Sequence, residues 1–441
     1  MSDPLLDEAI EWLRIPSIST GEPDPDGLRR AAQWVVDCVR AAGGEADVVD
    51  TAHNPLAVGE LRATRPDAPT VLIYGHYDVQ SVGDPAAWRS PPFEPTIREG
   101  RLYARGASDD KGNFLPLLHV ASEMARAGEL PVNVRVLVEG EEEAGGDSAL
   151  EWVRGDERGA DAAVVFDSDM ADEDTPAITV GLRGMVMADI TVRTGARDLH
   201  SGIYGGSVLN AAHVLHAMLA QVLPGPDGRV RAELRVGIEE PAPEERESWA
   251  RMKPGDDVLA EVGGRPVHPG AGAEYYERNG ADASLDVNLI TSGEPRTVVP
   301  SAARAVVSLR LAPRQRSGEV QPVMEELLRS AVPEGAEAEI DWHVAEPSLF
   351  DVNEPAIRLA AGAIERACGV APVMQRSGGS IPIVAELAAA GIPTVVGGFA
   401  LPEDAIHAPN ESYRLESLRL GAATARELYA ALAELPARVA S

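Results

Sequence analysis

The stretch Thr70-Val-Leu-Ile-Tyr-Gly75-His-Tyr-Asp78 decides the fold: an apolar, partly β-branched run passes straight into an imidazole and a carboxylate. The arrangement recurs. Residues 132–138 lead into Glu139-Gly-Glu141-Glu142-Glu143, and Ala162–Phe166 into Asp167-Ser-Asp169. Residues 393–397 are followed, after a short loop, by His407-Ala-Pro-Asn410-Glu411. Continuous Val/Ile/Leu runs of this kind read as strands buried on both faces of a parallel sheet. In an open α/β sheet the loops at the carboxyl ends of the strands converge on one crevice, where ligands bind. Acids and imidazoles gathered there repel one another or stay unpaired unless something cationic lies among them. The pattern points to a metal site.

Working outward, 441 residues exceed one ordinary core, so two domains are expected. Helical patterns cover 3–13 and 27–42, the second with Ala31, Val35, Val36 and Val39 on one face, and another covers 114–126. Around Gly181-Leu-Arg-Gly184 the style changes. Residues 185–192, 287–289, 303–311 and 338–343 alternate in polarity, as half-exposed strands do, with helical stretches at 207–222 and 320–332 among them. A polar Pro/Glu-rich stretch, 237–247, reads as an excursion. A helix over Pro355–Cys368 then returns to the parallel-sheet style. The reading is an α/β chain with an inserted α+β domain: 1–184 and 348–441 form one discontinuous domain, 185–347 the insert.

The net charge of −31 gives a field that repels nucleic acid and anionic membranes, so neither is expected as a partner. No apolar run reaches the length of a membrane span, and Met1-Ser-Asp-Pro-Leu-Leu-Asp-Glu8 has neither the basic nor the apolar region of a secretory signal. Two cysteines, Cys38 and Cys368, make no disulfide framework, and a reduced, cytoplasmic setting is expected.

Each cluster alone permits a bland reading. His76 and Asp78 could share a structural hydrogen bond; Asp109 or Asp110, before an apolar helix, could cap it. Glu141, Glu142 and Glu143 could be a solvated acidic run, although the glycines around them suit a close approach of the backbone. Asp167 and Asp169 could end a strand, and His407 could be one of nine ordinary histidines. Together, His76, Asp109, a Glu, Asp167 and His407 at separate strand ends are hard to explain without metal. Nitrogen and oxygen donors without thiolates favour zinc, manganese or cobalt. Five ligands are too many for one catalytic zinc; with one bridging carboxylate they suit two ions about 3.5–4 Å apart.

Gly75-His-Tyr-Asp-Val79, Gly106-Ala-Ser-Asp-Asp-Lys-Gly112, the 139–143 cluster, Asp198-Leu-His-Ser-Gly202, Gly378-Gly-Ser-Ile-Pro382 and His407-Ala-Pro-Asn-Glu411 occur in an order that resembles the M20 metallopeptidases. The resemblance spans nearly the whole chain and is nearest the carnosinase-like branch of cytosolic non-specific dipeptidases. It implies a mostly parallel-sheet zinc-peptidase catalytic domain with an inserted lid domain that also makes a homodimer. It implies that His76 and Asp167 hold one divalent ion, Glu143 and His407 a second, and Asp109 bridges them, with zinc first and manganese or cobalt as alternatives. Glu142 is then the general base, Asp78 orients His76, and His200 polarises the scissile carbonyl in the partner subunit's site. Arg310 and Thr297, with Ser380 and Gly379, correspond to substrate-binding positions, Arg310 clamping a terminal carboxylate. A cis peptide between Asp109 and Asp110 is also implied. Departures at Ala312, where the branch often has valine, and Gly146, where serine is frequent, touch no proposed ligand. The expected activity is amide hydrolysis of dipeptides or short peptides with a free C-terminal carboxylate. An N-acyl or N-carbamoyl amino-acid amidohydrolase or desuccinylase is the alternative, and a non-catalytic binding protein on the same fold a third.

Overall fold

The apolar runs become the strands of one mixed sheet in the computed structural model, which describes residues 3–379 and 381–437. In chain order the principal elements are α1 (Pro4–Leu13), α2 (Pro25–Ala41), β1 (Glu45–Val49), β2 (Leu56–Leu61), β3 (Thr70–His76), α3 (Lys111–Ala127), β4 (Asn133–Glu139), β5 (Ala162–Phe166) and β6 (Ala177–Leu182). They continue with β7 (Gly184–Arg193), α4 (Ala211–Leu219), β8 (Ser284–Ser292), β9 (Ala302–Leu311), α5 (Ser317–Ser330), β10 (Glu337–Ala345), α6 (Pro355–Cys368), β11 (Thr394–Gly397) and α7 (Leu415–Leu432). Packing divides the chain into one unit of Met1–Val180, Phe350–Met374 and Ile383–Ser441 and another of Gly181–Leu349 and Gln375–Pro382.

In the first unit the strand order is β1-β2-β4-β3-β5-β11-β6. Strands β4, β3, β5 and β11 are parallel, while β1, β2 and β6 run antiparallel to their neighbours. Strands β5 and β11 are wholly buried, and only Thr70 of β3 is not, as expected of strands covered on both faces. Parallel direction puts His76, Glu139, Phe166 and Gly397, the last residues of four strands, on one edge. That edge carries the candidate site. Helix α2 starts where Asp24 accepts the Gly27 N–H at 2.9 Å and Pro25 presets the first turn; its buried face holds Leu28, Ala31, Ala32, Val35, Val36 and Val39. Each Leu or Val side chain fully buried contributes about 1.5–3 kcal/mol.

Two features of this unit are absent from the sequence reading. Strand β6 continues the sheet beyond β11 and runs antiparallel to it. A small antiparallel sheet joins Thr96–Arg98, Arg101–Tyr103 and Ser412–Arg414. These segments are three residues long and carry too little periodicity to signal a strand. The small sheet nonetheless sets Glu411 against the 104–109 loop.

The second unit holds an antiparallel sheet in the order β8-β9-β7-β10. Strand β7 alternates buried and half-buried residues, with Val186, Ala188, Ile190 and Val192 packed with Val214, Met218, Val320 and Met324 of helices α4 and α5. Strand β8 is longer than the expected 287–289 because a bulge between Val287 and Leu289 interrupts its alternation. Helix α4 is shorter than 207–222: Asn210 accepts from the Ala212 and His213 amides and starts it late. The 237–247 excursion ends in a short helix, Pro243–Trp249. The unit boundaries fall at 180/181 and 349/350 rather than 184/185 and 347/348, and Gln375–Pro382 groups with the second unit instead of the first. The reason lies in two contacts: Arg376 grips Glu245 bidentately at 2.7 and 2.8 Å, and the Ser377 carbonyl accepts the Arg183 N–H. Among the described residues no helix is long and apolar enough to cross a membrane.

Strand β4 also carries an ion pair beneath the sheet. Arg135 donates to Asp156 at 2.6 and 2.9 Å and to the Gly159 carbonyl at 2.7 Å, the two side chains being 5% and 13% exposed. Burial alone would raise the Asp156 carboxyl, but the hydrogen bonds and charge of Arg135 hold it below its ordinary range. Removing the acid strands a buried guanidinium, so Asp156→Ala should cost about 3 kcal/mol in urea denaturation. The contribution of a depressed carboxyl is present above its unfolded pKa of about 3.9 and lost as pH falls through the folded value. The stability gap between wild type and Asp156→Asn should therefore narrow below about pH 4.

Candidate metal centre

His76 ends β3 with its imidazole fully buried. Gly75 before it makes room for its neighbours: a Cβ there would lie 2.5 Å from the Phe114 ring and 2.7 Å from Asp110 Oδ2. Asp109 comes from the loop before α3, and its peptide bond to Asp110 is cis. Neither aspartate caps α3 through its side chain. Asp110 instead accepts the His76 backbone N–H at 3.2 Å. Glu143 follows β4, Asp167 follows β5, and His407 lies on the loop after β11. That loop holds three non-glycine residues in the left-handed region, Ala405, His407 and Asn410, at φ 57, 62 and 68°. Each costs about 1–2 kcal/mol. Asn410 offsets part of this by donating to the Ala87 carbonyl at 2.9 Å and accepting the Arg89 N–H at 2.8 Å.

These loops bring the five expected ligands together. His76 Nε2 lies 3.0 Å from Asp109 Oδ1 and 4.0 Å from Asp167 Oδ1. His407 Nε2 lies 2.9 Å from Asp109 Oδ2 and 3.1 Å from Glu143 Oε2. Two groups, His76 with Asp109 and Asp167, and Asp109 with Glu143 and His407, each keep their donor atoms within 4.8 Å of one another. Asp109 belongs to both, one oxygen toward each. Glu142 and Asp78 belong to neither.

Asp78 is fully buried, and its Oδ1, 3.4 Å from His76 Nδ1, has no hydrogen-bond partner. An Nδ1–H on a histidine coordinating through Nε2 would meet the Asp78 backbone carbonyl at 3.1 Å with that oxygen beside it, so Asp78 flanks the imidazole with two acceptors. The donor chemistry, the shared carboxylate and this orphaned oxygen all fit a pair of divalent ions. Of the three successive glutamates, Glu141 serves the backbone: it is buried and accepts the Ser148 N–H at 2.7 Å. A Cβ on Gly146 would lie 2.1 Å from Glu141 Cδ, which accounts for glycine in that place.

The protonation equilibria record the crowding of acids. Burial opposes a charged His76, yet its hydrogen bond to Asp109 and the Asp78 carboxylate nearby lift it well above its ordinary value. Hydrogen bonds to Asp109 and Glu143 push His407 up to about 10. Burial would raise Asp109, but its bonds to His407 and His76 hold it low. Burial pushes Glu142 up to about 7; His76 pulls against this, and Asp109 and Glu143 add to it. Burial likewise raises Asp167 and takes Glu139 to about 8, where the Tyr74 hydroxyl donates to it.

One functional residue escaped the sequence reading. Glu411, 1% exposed, accepts the Gly106, Ser108 and Asp109 amides at 3.0, 2.9 and 3.1 Å and Arg105 Nη1 at 2.6 Å. It sets the backbone of Asp109, the aspartate shared by the two groups. The motif His407-Ala-Pro-Asn-Glu411 contains it, but nothing in sequence separates a carboxylate that binds metal from one that binds amides.

In the second unit, Leu199 and His200 pair with Val299 and Val298, and the Thr297 carbonyl accepts the Ser201 N–H at 3.0 Å, so His200 and Thr297 are close neighbours. His200 is exposed and accepts the Gly202 N–H through Nδ1 at 3.0 Å. Arg310, half-buried on β9, is near Arg183: burial first and the Arg310 charge second lower Arg183 to about 10. Two adjacent guanidiniums favour an anion. Gly379 is exposed and donates to Ser377 Oγ at 3.2 Å, and Ser380 lies outside the described residues.

A profile of peptidase family M20/M25/M40 matches residues 72–431. The cysteinylglycine-S-conjugate dipeptidase of Corynebacterium striatum is 29% identical over 375 residues, 82% of this chain and 80% of that protein. The Cys-Gly metallodipeptidase dug1 of Schizosaccharomyces pombe is 26% identical over 402 residues, 84% and 83% of the two chains. The M20 family metallo-carboxypeptidase Sso-CP2 from Sulfolobus solfataricus superimposes with a TM-score of 0.88 at 26% identity, covering 98% of this chain and 100% of that one.

Glu411→Gln replaces an acceptor oxygen with an N–H facing other N–H groups and strips Arg105 of its charge partner. Thermal or urea denaturation should show a loss of about 3 kcal/mol. A stability within about 0.5 kcal/mol of wild type, the scatter of surface substitutions, would contradict this account of the loop.

Proposed function

Because the chain belongs to peptidase family M20/M25/M40, we propose that it is a two-metal dipeptidase cleaving the amide bond of dipeptides or short peptides with a free C-terminal carboxylate. The observation that carries the reading is the pair of donor groups sharing Asp109, with Glu142 beside them but in neither. The dipeptidase relatives and the carboxypeptidase fold-mate support the substrate class.

His76 and Asp167 would hold one ion and Glu143 and His407 the other, with Asp109 shared between them; zinc suits the donors, as do manganese and cobalt. When bound, such a pair supplies positive charge that acidifies water and polarises a carbonyl. Glu142 takes the proton of the attacking water at its carboxylate and returns it to the leaving amine. Asp78 keeps His76 in one tautomer. Arg310 receives the terminal carboxylate with its planar fork, Thr297 and the Gly379 backbone line the substrate, and His200 of the partner subunit donates to the developing oxyanion. A homodimer through the second unit is part of the proposal. Its support is strand β8, a sheet edge where Leu289 and Ile290 are 38% and 59% exposed.

Glu142→Gln should lose dipeptide hydrolysis by about 10²–10⁴-fold in kcat while still binding two ions by calorimetry; loss of metal together with activity would mean that Glu142 is a ligand. A panel of dipeptides against N-acetyl and N-succinyl amino acids, with Zn²⁺, Mn²⁺ or Co²⁺ and a chelator control, tests the substrate class. Turnover of the acylated compounds alone would overturn it. Mixed dimers of His200→Ala and His76→Ala chains should recover part of the activity that each homodimer lacks, and no recovery would argue against a shared site.

A further inference from the structure

The segment Ser17-Ile-Ser19-Thr20, between α1 and α2, runs alongside residues 78–81 as a short parallel bridge. The Ser19 N–H donates to the Val79 carbonyl at 3.2 Å and the Val79 N–H to the Ser17 carbonyl at 2.9 Å. Its hydroxyls do more than hold backbone. Ser19 Oγ donates to Asp78 Oδ2 at 2.6 Å, and the same Oδ2 accepts the Glu143 N–H at 3.1 Å. Thr20 Oγ1 donates to Gln80 Oε1 at 2.9 Å, and Gln80 Nε2 donates to Glu143 Oε2 at 2.8 Å. The far end of the segment is anchored too: Lys111, next to the Asp109-Asp110 pair and 1% exposed, donates to the Trp12 and Ile15 carbonyls at 3.2 and 2.9 Å.

We infer that this N-terminal strap positions the metal-binding side chains, with Ser19 acting on both donor groups and the Thr20–Gln80 relay on the Glu143 group alone. The asymmetry follows from connectivity. Asp78 is the junction: Oδ1 faces His76 and Oδ2 is tied to Glu143, so fixing its carboxylate through Ser19 orients one member of each group. Of the donor residues Gln80 bonds to Glu143, and Thr20 sets which end of the Gln80 amide points there, because a hydroxyl donating to Oε1 leaves the NH₂ for the glutamate. Ser19, Thr20 and Gln80 are positioning residues, since none is among the donor atoms. The inference rests on the two-metal part of the proposed function and is independent of the substrate.

Calorimetric titration of the metal-free full-length protein with Zn²⁺ reads both affinities without reference to catalysis. Wild type should take up two ions. Thr20→Val and Gln80→Leu should each weaken one ion by roughly ten- to a hundred-fold, the usual effect of losing a group that orients a ligand, and leave the other unchanged. Ser19→Ala should weaken both, and Thr20→Ser should restore the wild-type pair of affinities. Thr20 and Gln80 are only partly buried, so their variants carry the test if Ser19→Ala does not fold. Wild-type affinities in Thr20→Val, or equal weakening of both ions in Thr20→Val and Gln80→Leu, would overturn the inference. A wild type that binds two ions but cleaves no dipeptide overturns the substrate assignment alone; one that binds fewer than two overturns both.

Discussion

Asp109 meets both imidazoles, His76 at 3.0 Å and His407 at 2.9 Å, although His407 lies 298 positions further along the chain. The rest of the centre is arranged around that one carboxylate. A charged acid in this place is tolerable only if its surroundings supply positive potential. Part of that comes from the imidazoles, whose pKa values the neighbouring acids raise against the opposing effect of burial. Glu411 contributes position rather than charge: its oxygens collect three amides of the loop and the Arg105 guanidinium, which fixes the backbone from which Asp109 presents one oxygen to each imidazole. Divalent ions satisfy the same acids with more charge than protons carry, and free the imidazoles to act as neutral donors.

The sheet explains how residues from 76 to 407 meet. Four parallel strands end on one edge, and each delivers its candidate ligand within a few residues of its last hydrogen bond, except β11, whose loop reaches His407 and Asn410 through left-handed positions. A strained loop needs external ties, and Asn410 supplies two. The N-terminal segment reaches Asp78 and, through Gln80, Glu143 with hydroxyls. Neither support is metal-binding in type, which is why both are inconspicuous beside the acids and histidines.

The second unit is organised differently. Its antiparallel sheet packs one face on α4 and α5, and it holds two arginines, Arg183 and Arg310, close enough for one to depress the other.

Much was legible in the chain itself. The buried runs 70–76 and 162–166 announce parallel strands because a strand covered on both faces has no polar side to show, and the acids and histidines that follow them mark the reactive edge. What required the tertiary structure were interactions whose partners are chemically ordinary: Glu411 on amides rather than metal, Ser19 on Asp78, the three-residue strands that seat Glu411, and the transfer of Gln375–Pro382 to the second unit by Arg376 and Glu245. A serine hydroxyl or a lone glutamate reads the same in sequence whether it faces water or a buried carboxylate. Periodicity and motif report burial and donor type, which are local; which oxygen faces which nitrogen is decided only when distant segments pack, because a hydrogen bond depends on tenths of an ångström that no spacing in the chain encodes.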